Sequence, residues 1–133
     1  MAYVARKIPF VGAPDTNPET KPFFEGTAAG KLMVRRCTTC HKVHWYPREL
    51  CPFCFGECAW EQASGNAKIY SLSVMERANP PYAMAYVTLA EGPTMMTNLV
   101  DCDFKALKIG QDVKVKFVQT EGEGPSLPFF TPA

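Results

Sequence analysis

Two cysteine pairs, Cys37-Thr38-Thr39-Cys40 and Cys51-Pro52-Phe53-Cys54, are the residues of this sequence best suited to chemistry. Each Cys-x-x-Cys unit aims two sulfurs at one point while backbone N–H groups turn toward them, and four thiolates complete a tetrahedral metal site. The 10 residues between the pairs, 41–50, suffice for a hairpin that brings the two units together. The expected occupant is one structural Zn2+ per chain, because four sulfurs leave no open position for water. Iron is chemically possible with the same ligands, although zinc is the commoner occupant in a cytoplasm. A segment of roughly 30 residues cannot hold a fold by apolar burial alone, whereas tetrathiolate zinc contributes on the order of 10 kcal/mol. His41, His44 and Cys58 are near enough in sequence to compete as ligands, but a complete thiolate set leaves them beside the site. Cys58 and Cys102 have no evident base and read as buried or incidental thiols, so the chain offers no constellation for acyl transfer and no catalytic residue is assigned.

Five basic residues, Lys31, Arg35, Arg36, Lys42 and Arg48, accompany the cysteines with no acidic residue among them. They offset the formal double negative charge of a tetrathiolate zinc centre. The competing reading is a receptor for phosphates, but Glu49, Glu57 and Glu61 follow directly and blunt the patch.

The cysteines need a scaffold on both sides. Residues 1–30 read as an extended, proline-interrupted arm followed by one or two helical turns around Pro22, Phe23 and Phe24 that close at a glycine. Residues 31–64 form the zinc ribbon, with the boundary near Gly65. Residues 65–133 carry five strand-like runs, 68–74, 82–89, 94–100, 113–118 and 127–131. Asn79-Pro80-Pro81 and Glu91-Gly92-Pro93 supply turn chemistry, and 103–110 suits a short helical crossover between the third and fourth runs. Five strands with that crossover match an OB-fold barrel, so the fold class is mostly β.

The net charge of +1 provides no global field toward nucleic acid or an anionic membrane. The absence of an export-type or membrane-spanning apolar run predicts a cytoplasmic protein with reduced thiols. Zinc ribbons and OB-folds both bind nucleic acid elsewhere, which makes such a module the main rival reading. The second and third strand runs, however, contain no lysine or arginine, and this weighs against it.

The run Phe23-Phe24-Glu25-Gly26, Gly30-Lys31-Leu32, Arg36-Cys37, Cys40, Pro47-Arg48 and Cys51-Pro52-x-Cys54 resembles the acyl-CoA-associated family of rubredoxin-like zinc ribbons fused to an OB-fold. Ile69-Tyr70-Ser71, Pro80-Pro81-Tyr82, Thr97-Asn98-Leu99-Val100-Asp101 and Leu107-x-Ile109-Gly110-x-x-Val113 extend the likeness over nearly all of the chain beyond Pro18. One departure is His41, where members of the family carry a glycine in the left-handed conformation, which histidine tolerates better than most residues. The resemblance implies a noncatalytic accessory subunit in a hetero-oligomer with a larger thiolase-like catalytic subunit, helping to shape a site for CoA or acyl-CoA that the partner mainly binds. Under that reading Arg48, Pro80, Pro81 and Tyr82 contribute to the wall of the CoA channel. Apolar groups on arms and tails need a surface to cover, so Phe10, Phe23, Phe24, Phe129 and Phe130 are the candidates for the partner interface. For the helical turn and the tail, packing on the chain's own barrel is the alternative.

Overall fold

The structure, a computed structural model, describes residues 18–120 and 124–133. The arm with Phe10 therefore lies outside the described residues.

The first element is helix α1 (Lys21–Ala28), with proline at its start, where a missing N–H costs nothing. Lys31 N–H closes it on Gly26 O at 2.8 Å, and Gly30 takes a left-handed φ of 75°. Phe23 is buried on its inner face. Strands β1 (Met33–Cys37), β2 (Val43–His44) and β3 (Cys58–Gln62) form an antiparallel sheet in the order β2-β1-β3. The stretch between the cysteine pairs is thus only partly a hairpin: β2 is two residues long and pairs back on β1.

The remaining strands, β4 (Asn66–Met75), β5 (Tyr82–Leu89), β6 (Thr94–Leu99), β7 (Asp112–Gln119) and β8 (Ser126–Pro132), close into a barrel in the order β4-β5-β6-β8-β7. All five correspond to the strand runs read from the sequence. Period-2 alternation explains the closure: in β5 the residues Ala83, Ala85, Val87 and Leu89 point inward, and in β6 Met95, Thr97 and Leu99 do so. A register shift between Ile69 and Ser71 leaves Tyr70 67% exposed. The expected helical crossover is a single 3-10 turn, Phe104–Ala106, whose Phe104 is buried in the core.

Ribbon and barrel share one core, in which Phe23, Leu32, Val34 and Val43 pack with Ile69, Val87, Leu99 and Phe130. Gly65 stands at their junction with φ of 85°, and a Cβ there would lie 2.7 Å from Val115 Cγ1. Only glycine meets both demands. Of the phenylalanines expected at an interface, Phe23, Phe129 and Phe130 are 3%, 8% and 0% exposed. Their surface is covered by the chain's own helix, ribbon and barrel, and only half-buried Phe24 keeps a face outward.

Candidate functional site

The two knuckles are built alike. His41 N–H donates to Cys37 O at 3.0 Å and Phe55 N–H to Cys51 O at 2.8 Å. Each of these residues follows the second cysteine of its pair and adopts the left-handed conformation, with φ of 63° and 62°. His41 therefore meets the demand anticipated for a glycine, while the equivalent demand on Phe55 was not read from the sequence. Both turns aim N–H groups at sulfur: Thr39 and Cys40 at Cys37 Sγ, each 3.3 Å, and Phe53 at Cys51 Sγ, 3.4 Å.

The sulfurs of Cys37, Cys40, Cys51 and Cys54 lie within 4.8 Å of one another. Across the knuckles Cys37 and Cys54 are 3.5 Å apart and Cys40 and Cys51 3.7 Å. Zinc–sulfur bonds of about 2.3 Å in a regular tetrahedron set sulfurs about 3.8 Å apart, so the donor set fits one zinc ion. Cys37 and Cys51 are buried and Cys54 is exposed. The Cys40 N–H, acting against burial and joined by the Thr39 N–H, pulls the Cys37 thiol down to about 6. The Gly56 N–H lowers Cys54, but contact with Cys37 and burial push it up to about 12.

The basic residues around the knuckles are mostly engaged. Arg35 is 7% exposed, lies 4.9 Å over the Trp60 ring and donates from Nη2 to Glu49 O at 3.1 Å. Arg36 forms a two-pronged pair with Glu61, both bonds 3.0 Å. Arg48 stands 5.3 Å over the Tyr46 ring and 3.9 Å from Glu19. His44, cross-strand from Arg35, accepts the Arg48 N–H on Nε2 at 3.2 Å, and burial followed by the Arg35 charge holds its pKa low.

A groove of about 410 Å³ runs between the ribbon side and the barrel. One wall is an edge-to-face series in which Phe23 meets Phe24 at 5.1 Å and Trp45 at 5.2 Å, and Trp45 meets Tyr46 at 5.5 Å. The barrel side is lined by Tyr82, Met84 and Met96, together with Leu127 and Pro128. Arg48 and Tyr82, far apart in sequence, are thus brought to one feature, Arg48 through the Tyr46 ring it covers. Pro80 and Pro81 are not among the lining residues; they belong to the loop leading into β5. Tyr82 also borders a shallow depression beside Glu76 and Arg77. Trp45, Tyr46 and Arg77 escaped the sequence reading, since nothing in a lone sequence places these side chains across from β5.

Residues 24–61 match the family described as ChsH2, rubredoxin-like zinc ribbon domain, and residues 60–118 that described as ChsH2, C-terminal OB-fold domain. A DUF35 domain-containing scaffold protein of Methanocaldococcus jannaschii is 32% identical over 101 residues, 70% of this chain and 72% of that protein. The chain belongs to the DUF35 family. A similar DUF35 scaffold protein of Methanothermobacter thermautotrophicus is also 32% identical, over 70% of this chain and 76% of its own length. A probable enoyl-CoA hydratase alpha subunit of Thermomonospora curvata is 31% identical over 127 residues, and this chain spans 39% of that protein's length. Among solved structures, a chain of the Ltp2-ChsH2(DUF35) aldolase superposes with a TM-score of 0.76 at 29% identity, covering 90% of this chain and 98% of that one. A DUF35 protein of Sulfolobus solfataricus shares the fold, with a TM-score of 0.65 at 16% identity. The family assigned here agrees with the resemblance read from the sequence.

Proposed function

We propose that this chain is a noncatalytic, zinc-binding accessory subunit of an acyl-CoA thiolase or thiolase-like enzyme, assembling with a larger catalytic subunit and helping to shape its acyl-CoA site. The observation that carries this reading is the match along 98% of a chain solved as part of an aldolase assembly. Two features of the molecule support it. The thiolate set of Cys37, Cys40, Cys51 and Cys54 is complete, which suits zinc to a structural role. The described residues offer no nucleophile with a base beside it: Cys102 is buried, and burial pushes its thiol up, away from the reactive thiolate.

The groove and its rim are the part of this surface best suited to a thioester of coenzyme A. Arg48 on Tyr46 and Arg77 beside Tyr82 supply cations for phosphate, and the aromatic and methionine walls supply apolar cover. A nucleic-acid module is disfavoured by the same face: Tyr86 and Met96 are exposed on β5 and β6, and those strands carry no cation to track a phosphate backbone.

The test is purification of the tagged chain from its host, with mass spectrometry of what accompanies it and metal analysis of the same sample. A thiolase-like protein in stoichiometric amount with one zinc per chain is the expected result. Nucleic acid without such a protein refutes the proposal. With the assembled enzyme, Arg48→Ala is expected to raise the KM for acyl-CoA, and an unchanged KM removes Arg48 from the channel wall.

A further inference from the structure

The ribbon holds five thiols, not four. Cys58 opens β3 directly opposite Cys37, the last residue of β1. Thr38 N–H donates to Glu57 O at 2.9 Å, which makes Thr38 and Glu57 the hydrogen-bonded pair of the ladder. Cys37 and Cys58 therefore form the adjoining non-hydrogen-bonded pair, and the Cys37 N–H turns the other way, to Lys42 O. In such a pair the Cα atoms are about 4.5 Å apart with both side chains on one face, within the span a disulfide bridges. The backbone keeps this approach open. Gly56, whose carbonyl accepts the Cys58 thiol at 3.8 Å, is so close to the cluster that a Cβ would lie 3.1 Å from Cys37 Sγ. Cys58 is half-buried, and its sulfur stands outside the set of four cysteines that could hold the metal.

We propose that Cys58 is a resolving thiol for the metal centre, pairing with Cys37 in a cross-strand disulfide when a peroxide oxidises the cluster. The inference rests on the reading of the four cysteines as a zinc site. In the net reaction the Cys37 thiolate leaves the metal and joins Cys58 through a new S–S bond. The peroxide O–O bond breaks, and the two oxygens depart as two waters, keeping the peroxide's own two protons and taking one from the Cys58 thiol and one from solvent, so that one thiolate, one thiol, one peroxide and one solvent proton give one disulfide and two waters. Peroxide enters where the cluster is open, at exposed Cys54, whose sulfur touches Cys37 at 3.5 Å. A disulfide formed first between those two passes to Cys58 by thiol exchange, returning Cys54 as a thiol. Exchange favours the cross-strand pair because β1 and β3 are held together by their own ladder, whereas the two knuckles are held together by the metal. The cross-strand bond staples the sheet while zinc is absent and makes the loss reversible.

The experiment exposes the zinc-loaded full chain to hydrogen peroxide with a chromophoric zinc chelator present, then maps disulfides by mass spectrometry without reduction. Metal analysis beforehand separates the two readings, since a chain purified without zinc refutes the metal site itself. The expected result is loss of one zinc per chain with a Cys37–Cys58 linked peptide, and full recovery of zinc on adding reductant and metal. Cys102→Ser should behave as the parent, while Cys58→Ser should give bonds among the ligand cysteines and recover less of its zinc. Disulfides among the four ligand cysteines alone in the parent, with Cys58 reduced, overturn the proposal, and that result stands even if Cys58→Ser does not fold.

Discussion

Phe23 and Phe24 are adjacent and identical in type, yet the structure assigns them different tasks, and a pair of alanine substitutions should separate these. Phe23 is 3% exposed and touches three rings, Phe24, Trp45 and Tyr46, at centroid distances of 5.1, 5.2 and 6.3 Å. Truncating a buried phenylalanine costs about 3–5 kcal/mol, and each edge-to-face ring contact accounts for about 0.5–1.5 kcal/mol. Phe23→Ala should fall near the middle of that range, about 4 kcal/mol. Phe24 is half-buried and keeps the Phe23 contact, so Phe24→Ala should cost about 1–2 kcal/mol. Urea unfolding of the zinc-loaded chain, followed by tryptophan fluorescence, measures both, because Trp45 lies against Phe23 and Trp60 reports the ribbon from β3. Equal losses for the two variants, or a loss below about 1.5 kcal/mol for Phe23→Ala, would refute the view that Phe23 is the pin joining α1 and the ribbon to the barrel.

Two further outcomes follow from single sites. Gly65→Ala should destabilise the chain by about 2–4 kcal/mol in the same assay, since it combines a left-handed backbone with a methyl 2.7 Å from Val115 Cγ1, whereas Gly92→Ala, with φ of 116° but open space, should cost less. His44 is held neutral in the fold by burial and by Arg35, so the unfolded chain binds the extra proton: stability is expected to fall as pH drops below about 6.5, by no more than about 1.4 kcal/mol per pH unit for this group, and urea midpoints of His44→Gln should show a shallower decline over that window.

The barrel was legible because β5 and β6 alternate without interruption and their turns carry proline and glycine, so period and punctuation agree. The convergence of Cys37, Cys40, Cys51 and Cys54 was legible from spacing alone. The knuckle symmetry was half legible: His41 stands where a glycine is expected, but Phe55 is an aromatic residue in a left-handed position, which local propensity argues against. The groove was not legible. Its walls come from α1, the turn after β2, and β5, β6 and β8, and only the closed barrel brings Tyr46 opposite Tyr82. The fate of Phe129 and Phe130 was likewise settled by topology, since β8 enters the sheet between β6 and β7 and buries both rings.

Arg35 shows how the metal and the fold depend on one another. It is a buried cation with no carboxylate partner among the described residues, and its Nε has no hydrogen-bond partner. A fold rarely tolerates this without compensation. The residue lies two positions before Cys37 on β1, on the face shared with Cys37 and Cys58, and an extended strand puts that spacing at roughly 7 Å. A tetrathiolate zinc carries a formal charge of −2, and for a charge separation on the order of 7–10 Å its attraction for Arg35 is between about 1 and 5 kcal/mol for effective dielectric constants from about 80 down to about 20. Arg35→Met keeps the aliphatic cover of Trp60 and removes the charge, so it should weaken zinc retention on the order of tenfold or more in a chelator competition. In the zinc-free chain the same substitution should be neutral or stabilising, because the buried cation has then lost the charge that balances it. The two measurements together isolate the coupling: an equal effect with and without zinc would reduce Arg35 to a packing residue, and a loss confined to the zinc-loaded state would make it the counter-charge of the metal centre.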